Sequence, residues 1–106
     1  MKNIPEGLLE EIVERLKEGL HPDKIILFGS HAYGKPNDDS DIDLLIVLPE
    51  SDEPGYRRAR KAYGCLWGLT APAEFVVATQ QEIERASRVP ASLLNQAVQR
   101  GRVIYE

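Results

Sequence analysis

Apolar residues recur every three or four positions through residues 5–20, a spacing that predicts an amphipathic helix. Two short and nearly continuous apolar runs follow, at residues 25–28 and 42–48, and they predict buried strands because a surface helix would interleave polar residues. Residues 30–35 predict a brief helix between these strands, and the polar cluster at residues 37–40 predicts a turn. The first half of the chain is therefore expected to contain two strands joined by a short, partly helical connection.

The second half of the chain alternates helical and strand patterns. Three further elements are predicted, a helix over residues 52–69, a strand over residues 74–78 and a helix over residues 91–99. Trp67 is expected in the core rather than as a base-stacking platform. Thr79, followed by Glu82 three residues later, predicts a capping box that opens another helix. A short apolar tail at residues 103–105 follows Gly101.

This order of elements predicts an α+β, layered fold in which a small mixed β-sheet of three to four strands is flanked by about four helices. We expect one domain over residues 1–106, because neither a linker nor a repeat interrupts the pattern. The net charge of −4 argues against direct nucleic-acid binding, which usually needs a basic surface. No apolar run is long enough to span a membrane, and the single cysteine, Cys65, fits a reducing compartment. A cytoplasmic location is therefore expected.

Two carboxylates, Asp41 and Asp43, open the strand predicted at residues 42–48. Residues two apart in a strand point to the same face, so both carboxylates share one side while Ile42 points into the core. Neighbouring carboxylates repel each other unless a cation lies between them, and Mg²⁺ prefers such oxygen ligands. Taken alone, this pair could equally be the solvated end of a turn.

Gly29 and Ser30 come directly after the strand predicted at residues 25–28. Glycine allows the backbone to approach a phosphate closely, and backbone N–H groups at a helix start can bind phosphate oxygens together with the Ser30 hydroxyl. Taken alone, the pair could be an ordinary turn in which Ser30 caps the helix. A phosphate-binding turn beside paired carboxylates is what transfer from a metal–nucleoside-triphosphate complex requires.

Gly29-Ser30, ten intervening residues and then Asp41-x-Asp43 resembles the signature of the DNA polymerase β-like nucleotidyltransferase superfamily. The short chain resembles the minimal nucleotidyltransferase (MNT) branch, and the resemblance covers almost the whole sequence. It implies catalytic and metal-ligating roles for three acids and one or two Mg²⁺ ions; the acids are Asp41, Asp43 and Glu74. It also implies that ATP is bound by four residues, Gly29, Ser30, Ser40 and Lys35.

The sequence departs from the family pattern at two places. The third acid is Glu74, where the family usually has Asp, and it could instead be a strand-edge residue that faces water. His31 and Tyr33 stand where many relatives have Arg, and we interpret His31 as an ordinary helix-surface residue. A basic cluster within residues 57–61 could meet a triphosphate or an acidic partner, but a solvated helix face is the expected interpretation.

The resemblance implies that the chain is the antitoxin of a HEPN/MNT toxin–antitoxin pair and forms a hetero-oligomer with a helical HEPN toxin. In this hypothesis the chain transfers AMP from ATP to a hydroxyl of that toxin, expected to be a tyrosine. An alternative is a non-catalytic antitoxin that masks the toxin by contact. A further alternative is a stand-alone enzyme that modifies a small hydroxyl compound.

Overall fold

A computed structural model describes residues 3–37 and 40–106 of the chain. The helices are α1 (Leu8–Leu20), α2 (Ser30–Tyr33), α3 (Gly55–Gly64), α4 (Gln80–Ala86) and α5 (Leu93–Arg100), and the strands are β1 (Lys24–Phe28), β2 (Ile42–Leu48), β3 (Ala73–Thr79) and β4 (Arg102–Tyr105). Within this part of the chain, none of the helices has the length and apolar character needed to cross a bilayer. Asp38 and Asp39 of the predicted turn lie outside the described residues. Its two ends are joined by hydrogen bonds between Asn37 and Ser40.

The four strands form one mixed sheet in the order β3-β2-β1-β4. Strand β1 is antiparallel to both β2 and β4, whereas β2 and β3 run parallel. Parallel neighbours need a long crossover connection, and α3 lies in that connection. This architecture confirms the predicted α+β fold with a small mixed sheet.

The sheet is covered on both faces. One face packs against α1 and α3, and its core includes Ile12, Leu16, Leu27, Ile42, Leu44, Ala62, Leu66 and Phe75. The opposite face packs against α5 and includes Ile26, Phe28, Leu45, Val47, Ala78 and Ala97. Because β2 contributes to both cores, its sequence is almost continuously apolar, which is why its bounds match the prediction.

The predicted capping box is confirmed. The backbone N–H of Glu82 donates to Thr79 Oγ1 at 3.2 Å, and the backbone N–H of Thr79 donates to Glu82 Oε1 at 2.9 Å. Three other helix starts differ from the prediction, and α3 begins at Gly55 instead of residue 52. Helix α1 begins only at Leu8 because Gly7 has a φ of 84°, and α5 begins after Ser92, whose hydroxyl accepts from the N–H of Asn95 at 3.1 Å.

The prediction that Trp67 lies in the core is wrong, since its side chain is 90% exposed. Helix α3 ends at Gly64 instead of continuing to residue 69, and a turn follows in which Gly68 has a φ of 83°. Trp67 therefore lies beyond the end of α3, in a turn that leaves its side chain in solvent. The carbonyl of Trp67 accepts a hydrogen bond from Arg15 Nη1 at 2.8 Å, which holds this turn against α1.

The interpretation of residues 57–61 as a solvated face is wrong for Arg58, which is only 9% exposed. Its Nη1 lies 2.5 Å from Glu82 Oε1 and donates to the carbonyl of Val77 at 3.4 Å, while its Nε donates to the carbonyl of Glu53 at 2.8 Å. Burial raises the pKa of Glu82, but the Thr79 N–H and the Arg58 guanidinium outweigh it, so the pKa lies below its usual range.

Arg58 also helps to cover the outer edge of β3. An open sheet edge exposes unpaired backbone groups that invite pairing with another chain. The carbonyl of Val77 accepts from Arg58, and the N–H of Phe75 donates to the Tyr63 hydroxyl at 3.1 Å. Side chains of α3 therefore occupy hydrogen-bonding positions that a further strand would use.

We expect Arg58→Ala to lower the free energy of unfolding by about 2–3 kcal/mol, because the Val77 carbonyl loses this donor and the Glu82 carboxylate loses its guanidinium partner and keeps the Thr79 N–H. Urea unfolding monitored by circular dichroism measures this change. The matched control is Arg57→Ala, an exposed neighbour expected to cost less than about 0.5 kcal/mol. Equal losses of stability in the two variants would contradict the structural role of Arg58.

Candidate active site

The carboxylates meet at one end of the sheet. Asp43 is the second residue of β2, and it is in register with Phe28 of β1 on one side and with Glu74 of β3 on the other. Side chains at paired positions of neighbouring strands lie on the same face, and the strands are about 4.8 Å apart. Asp41 precedes Asp43 by two residues. Asp41 and Asp43 are half-buried, whereas Glu74 is exposed.

Burial and electrostatic repulsion both oppose ionisation of Asp43. Burial, the Glu74 carboxylate and the Asp41 carboxylate, in that order, raise the pKa of Asp43 above its usual range, and the ring of His31 lowers it. A carboxyl group whose pKa is raised on folding destabilises the folded chain when it is ionised. The site therefore carries negative charge that a bound cation would stabilise.

Gly29 gives Asp43 the space that its side chain occupies. Its φ of 75° and ψ of −158° fall in a region that is essentially restricted to glycine. A Cβ at this position would lie 3.1 Å from the carboxyl carbon of Asp43 and closer still to Asp43 Oδ2. The structure thus brings Gly29 against a predicted metal ligand. Its predicted phosphate contact stays a prediction.

The residues after Gly29 form a single tight turn. Ser30 begins α2, and the N–H groups of Ala32 and Tyr33 both donate to the carbonyl of Gly29, at 3.0 and 3.1 Å. Ser30 is half-buried, and its nucleotide contact stays a prediction. Lys35 lies beyond this turn with an exposed side chain, and its nucleotide contact stays a prediction.

His31 lies on α2 and makes a contact that its expected role as a helix-surface residue does not include. It is half-buried, and its Nε2 lies 3.3 Å from the carbonyl oxygen of Ser40. In the tautomer with hydrogen on Nε2, the ring donates to this carbonyl and ties α2 to the residue before Asp41. The Ser40 hydroxyl accepts from the N–H of Asn37 at 2.9 Å, so it stabilises the turn. In the sequence, the position of His31 directly after Ser30 is the signal that could have suggested this link between α2 and Ser40.

The donor set fits a divalent metal that binds together with a substrate. Over residues 3–37 and 40–106, no three His, Cys, Asp or Glu side chains are arranged as a complete metal site. Mg²⁺ at phosphate-transfer sites commonly takes one or two protein carboxylates and completes its coordination with water and phosphate oxygens. Asp41 and Asp43 meet that requirement, and metal ligation by Glu74 stays a prediction.

A half-buried carboxylate pair beside a Gly-Ser turn, on a mixed sheet covered by helices, defines a nucleotidyl-transfer type of site. Residues 9–104 match the family described as "Nucleotidyltransferase domain", and the chain belongs to this family. Members of this family generally use a nucleoside triphosphate and a divalent metal.

Two solved structures support the assignment. The chain is 26% identical to a proposed nucleotidyltransferase from Sulfolobus solfataricus, with a TM-score of 0.61 and coverage of 74% of this chain and 69% of that one. It is 28% identical to a second proposed nucleotidyltransferase, with a TM-score of 0.55 and coverage of 77% and 89%. No curated protein matches the chain.

We expect Gly29→Ala to lower the free energy of unfolding by about 2 kcal/mol, because alanine cannot adopt this backbone conformation without strain. The new methyl group would also displace the Asp43 carboxylate, so nucleotide transfer should fall. The control is Gly55→Ala, where an added Cβ meets nothing within 4 Å. Urea unfolding of both variants tests the prediction, and equal stability would show that Gly29 is not required there.

We expect Asp43→Asn to raise the melting temperature at pH 7, because it removes a carboxylate that opposes folding once it is ionised. In the wild-type chain, the loss of folding stability begins as the pH rises above the pKa of Asp43 in the unfolded chain. The loss is complete above the raised pKa of Asp43 in the folded chain. Mg²⁺ should stabilise the wild-type chain and have little effect on this variant.

Differential scanning calorimetry with and without Mg²⁺ measures both effects. Asp52→Asn, which removes an exposed carboxylate in the connection after β2, serves as the control. A lower melting temperature for Asp43→Asn than for the control would contradict the repulsion inferred at the site.

Proposed function

We propose that this chain is a Mg²⁺-dependent nucleotidyltransferase that transfers AMP from ATP to a tyrosine hydroxyl of a HEPN toxin, for which it acts as antitoxin. The observation that carries the proposal is the position of Asp43, which lies against Gly29 and in register with Glu74. Membership of the nucleotidyltransferase family supports the general reaction. The resemblance to minimal nucleotidyltransferases supports the choice of acceptor.

Each residue of the site has a distinct part in the proposed reaction. Asp41 and Asp43 would hold the metal, which supplies positive charge for the triphosphate and for the leaving pyrophosphate. Gly29 and Ser30 would hold the phosphates at the start of α2. The hydrogen bond from His31 to the Ser40 carbonyl keeps the segment carrying Asp41 in place. Positioning and electrostatics therefore account for most of the catalysis.

The transfer step requires no covalent intermediate with the protein. The acceptor oxygen forms a bond to the α-phosphorus while the bond between that phosphorus and the pyrophosphate oxygen breaks. The proton of the acceptor hydroxyl passes to solvent or to a carboxylate. Glu74 is exposed next to Asp43 and can accept a hydrogen bond from the incoming hydroxyl. Its exposure leaves room for an acceptor that belongs to another molecule.

Exposed aromatic residues on α3 and in the turn after it favour a protein as acceptor. The Tyr63 ring stacks on Phe75 with 4.9 Å between the ring centroids, on the face of the sheet opposite to Glu74, and it is still 46% exposed. Trp67 follows one helical turn later in sequence and is 90% exposed. Tyr and Trp are enriched among the residues that contribute most to protein–protein binding. A partner that covers this surface would contact the outer edge of β3, the strand that carries Glu74.

The same exposed aromatic residues favour one alternative, an antitoxin that masks the toxin by contact alone. Such a protein would bind and inhibit its partner without ATP and would tolerate the loss of Asp41. The two functions therefore differ in their dependence on nucleotide and on the carboxylates, while both depend on the aromatic surface.

We expect the intact mass of a HEPN partner to increase by one or more AMP groups after incubation with this chain, ATP and Mg²⁺. The increase should be absent with Asp41→Ala/Asp43→Ala, because neither metal ligand remains, and it should persist with the control Asp52→Ala. Intact-protein mass spectrometry provides the measurement.

An unchanged partner mass, together with tight binding and inhibition in the absence of ATP, would instead show a masking antitoxin. Transfer of AMP to a small hydroxyl compound with no partner present would overturn the proposed acceptor and leave the transferase activity intact. A mass increase that persists in the double variant would overturn the assigned metal ligands.

A further inference from the structure

Tyr33 and Arg100 are far apart in sequence but in contact in the structure. The guanidinium carbon of Arg100 lies 4.2 Å from the centroid of the Tyr33 ring. Tyr33 is the last residue of α2, the turn that starts at Ser30, and its N–H donates to the Gly29 carbonyl. This cation–π contact therefore adjoins the turn to which phosphate binding is assigned.

The backbone around Arg100 is held at the same end of the sheet. Gly101, the next residue, packs so closely that an added Cβ would lie 2.9 Å from the carbonyl oxygen of Leu27. Arg102 then pairs with Leu27 in the sheet. Since Gly29 follows two residues after Leu27, the end of α5 is placed beside the Gly-Ser turn.

The contact with an aromatic ring leaves the charge of Arg100 available. Three other arginines, Arg15, Arg58 and Arg88, are paired with glutamates. In the part of the chain that the structure describes, no carboxylate forms an ion pair with Arg100. A ring face attracts a guanidinium without neutralising its charge, and the N–H groups at its edge can still donate to an anion.

The charge of the site creates a need for such a cation. A nucleoside triphosphate would bring several negative charges to an end of the sheet that already contains Asp41, Asp43 and Glu74, in a chain with a net charge of −4. One divalent ion offsets only part of this charge. Planar guanidinium groups bind phosphate oxygens through two parallel hydrogen bonds, which makes Arg100 chemically suited to the outer phosphates.

We infer that Tyr33 and Arg100 form a polyphosphate subsite, in which Arg100 binds the β- and γ-phosphates and the Tyr33 ring orients its guanidinium. This inference rests on the proposed nucleotidyltransferase function and adds a binding residue from α5 to it. AMP has only an α-phosphate, so it lacks the β- and γ-phosphates that Arg100 would bind. The subsite therefore distinguishes ATP from AMP.

Isothermal titration calorimetry of Mg-ATP and AMP with the full chain tests the subsite. Arg100→Gln should weaken Mg-ATP binding about tenfold, the usual effect of losing a charge-assisted hydrogen bond, and change AMP binding less than about twofold. Tyr33→Leu should weaken Mg-ATP binding about threefold, and Tyr33→Phe should preserve it, because only the ring face is needed. Arg88→Gln, an exposed arginine paired with Glu84, is the matched control.

The double variant Arg100→Gln/Tyr33→Leu should bind Mg-ATP no more weakly than Arg100→Gln alone, since the ring acts through the guanidinium. If the wild-type chain binds Mg-ATP and Arg100→Gln binds it equally well, the subsite is wrong and the proposed function stands. If the wild-type chain does not bind Mg-ATP, both are wrong. Equal weakening of ATP and AMP with a lower melting temperature would show a structural role and also overturn the subsite.

Discussion

Repulsion among carboxylates at the end of β2 is the constraint on which the site depends. Asp43 lies between two residues with no exposed surface, Ile42 and Leu44, so the strand cannot turn its carboxylate away from Glu74 without disrupting the core. The apolar core thus holds in place a charge that, by itself, opposes folding. A bound cation would relieve the repulsion, which is why a destabilising feature of the fold can serve metal-dependent chemistry.

The surrounding residues make this arrangement possible. Gly29 leaves space for the Asp43 side chain, and His31 connects α2 to the segment that carries Asp41. On the other side of the sheet, α3 forms the crossover that brings β3 parallel to β2 and thereby places Glu74 next to Asp43. The short connection through α2 therefore positions site residues on the β1 side of β2, and the long crossover through α3 positions Glu74 on the β3 side.

Much of the fold could be predicted because its signals are local. The apolar run of β2 and the Thr79 capping box depend on neighbouring residues, and both are confirmed. The errors occur where tertiary contacts outweigh local spacing. Trp67 lies within the range predicted as a helix, but α3 ends before it. Arg58 is a charged residue expected on the surface, but it is buried by its contacts with Glu82 and two carbonyls.

The sequence by itself determined the two buried strands, and it predicts that Asp41 and Asp43 share one side because side chains alternate along a strand with a period of two residues. It also determined the family, through the spacing from Gly29 to Asp43. Only the tertiary structure decided that Glu74 lies in register with Asp43 and that Arg100 lies over the Tyr33 ring. Contacts between residues far apart in the chain depend on strand order and helix packing, which no local pattern encodes.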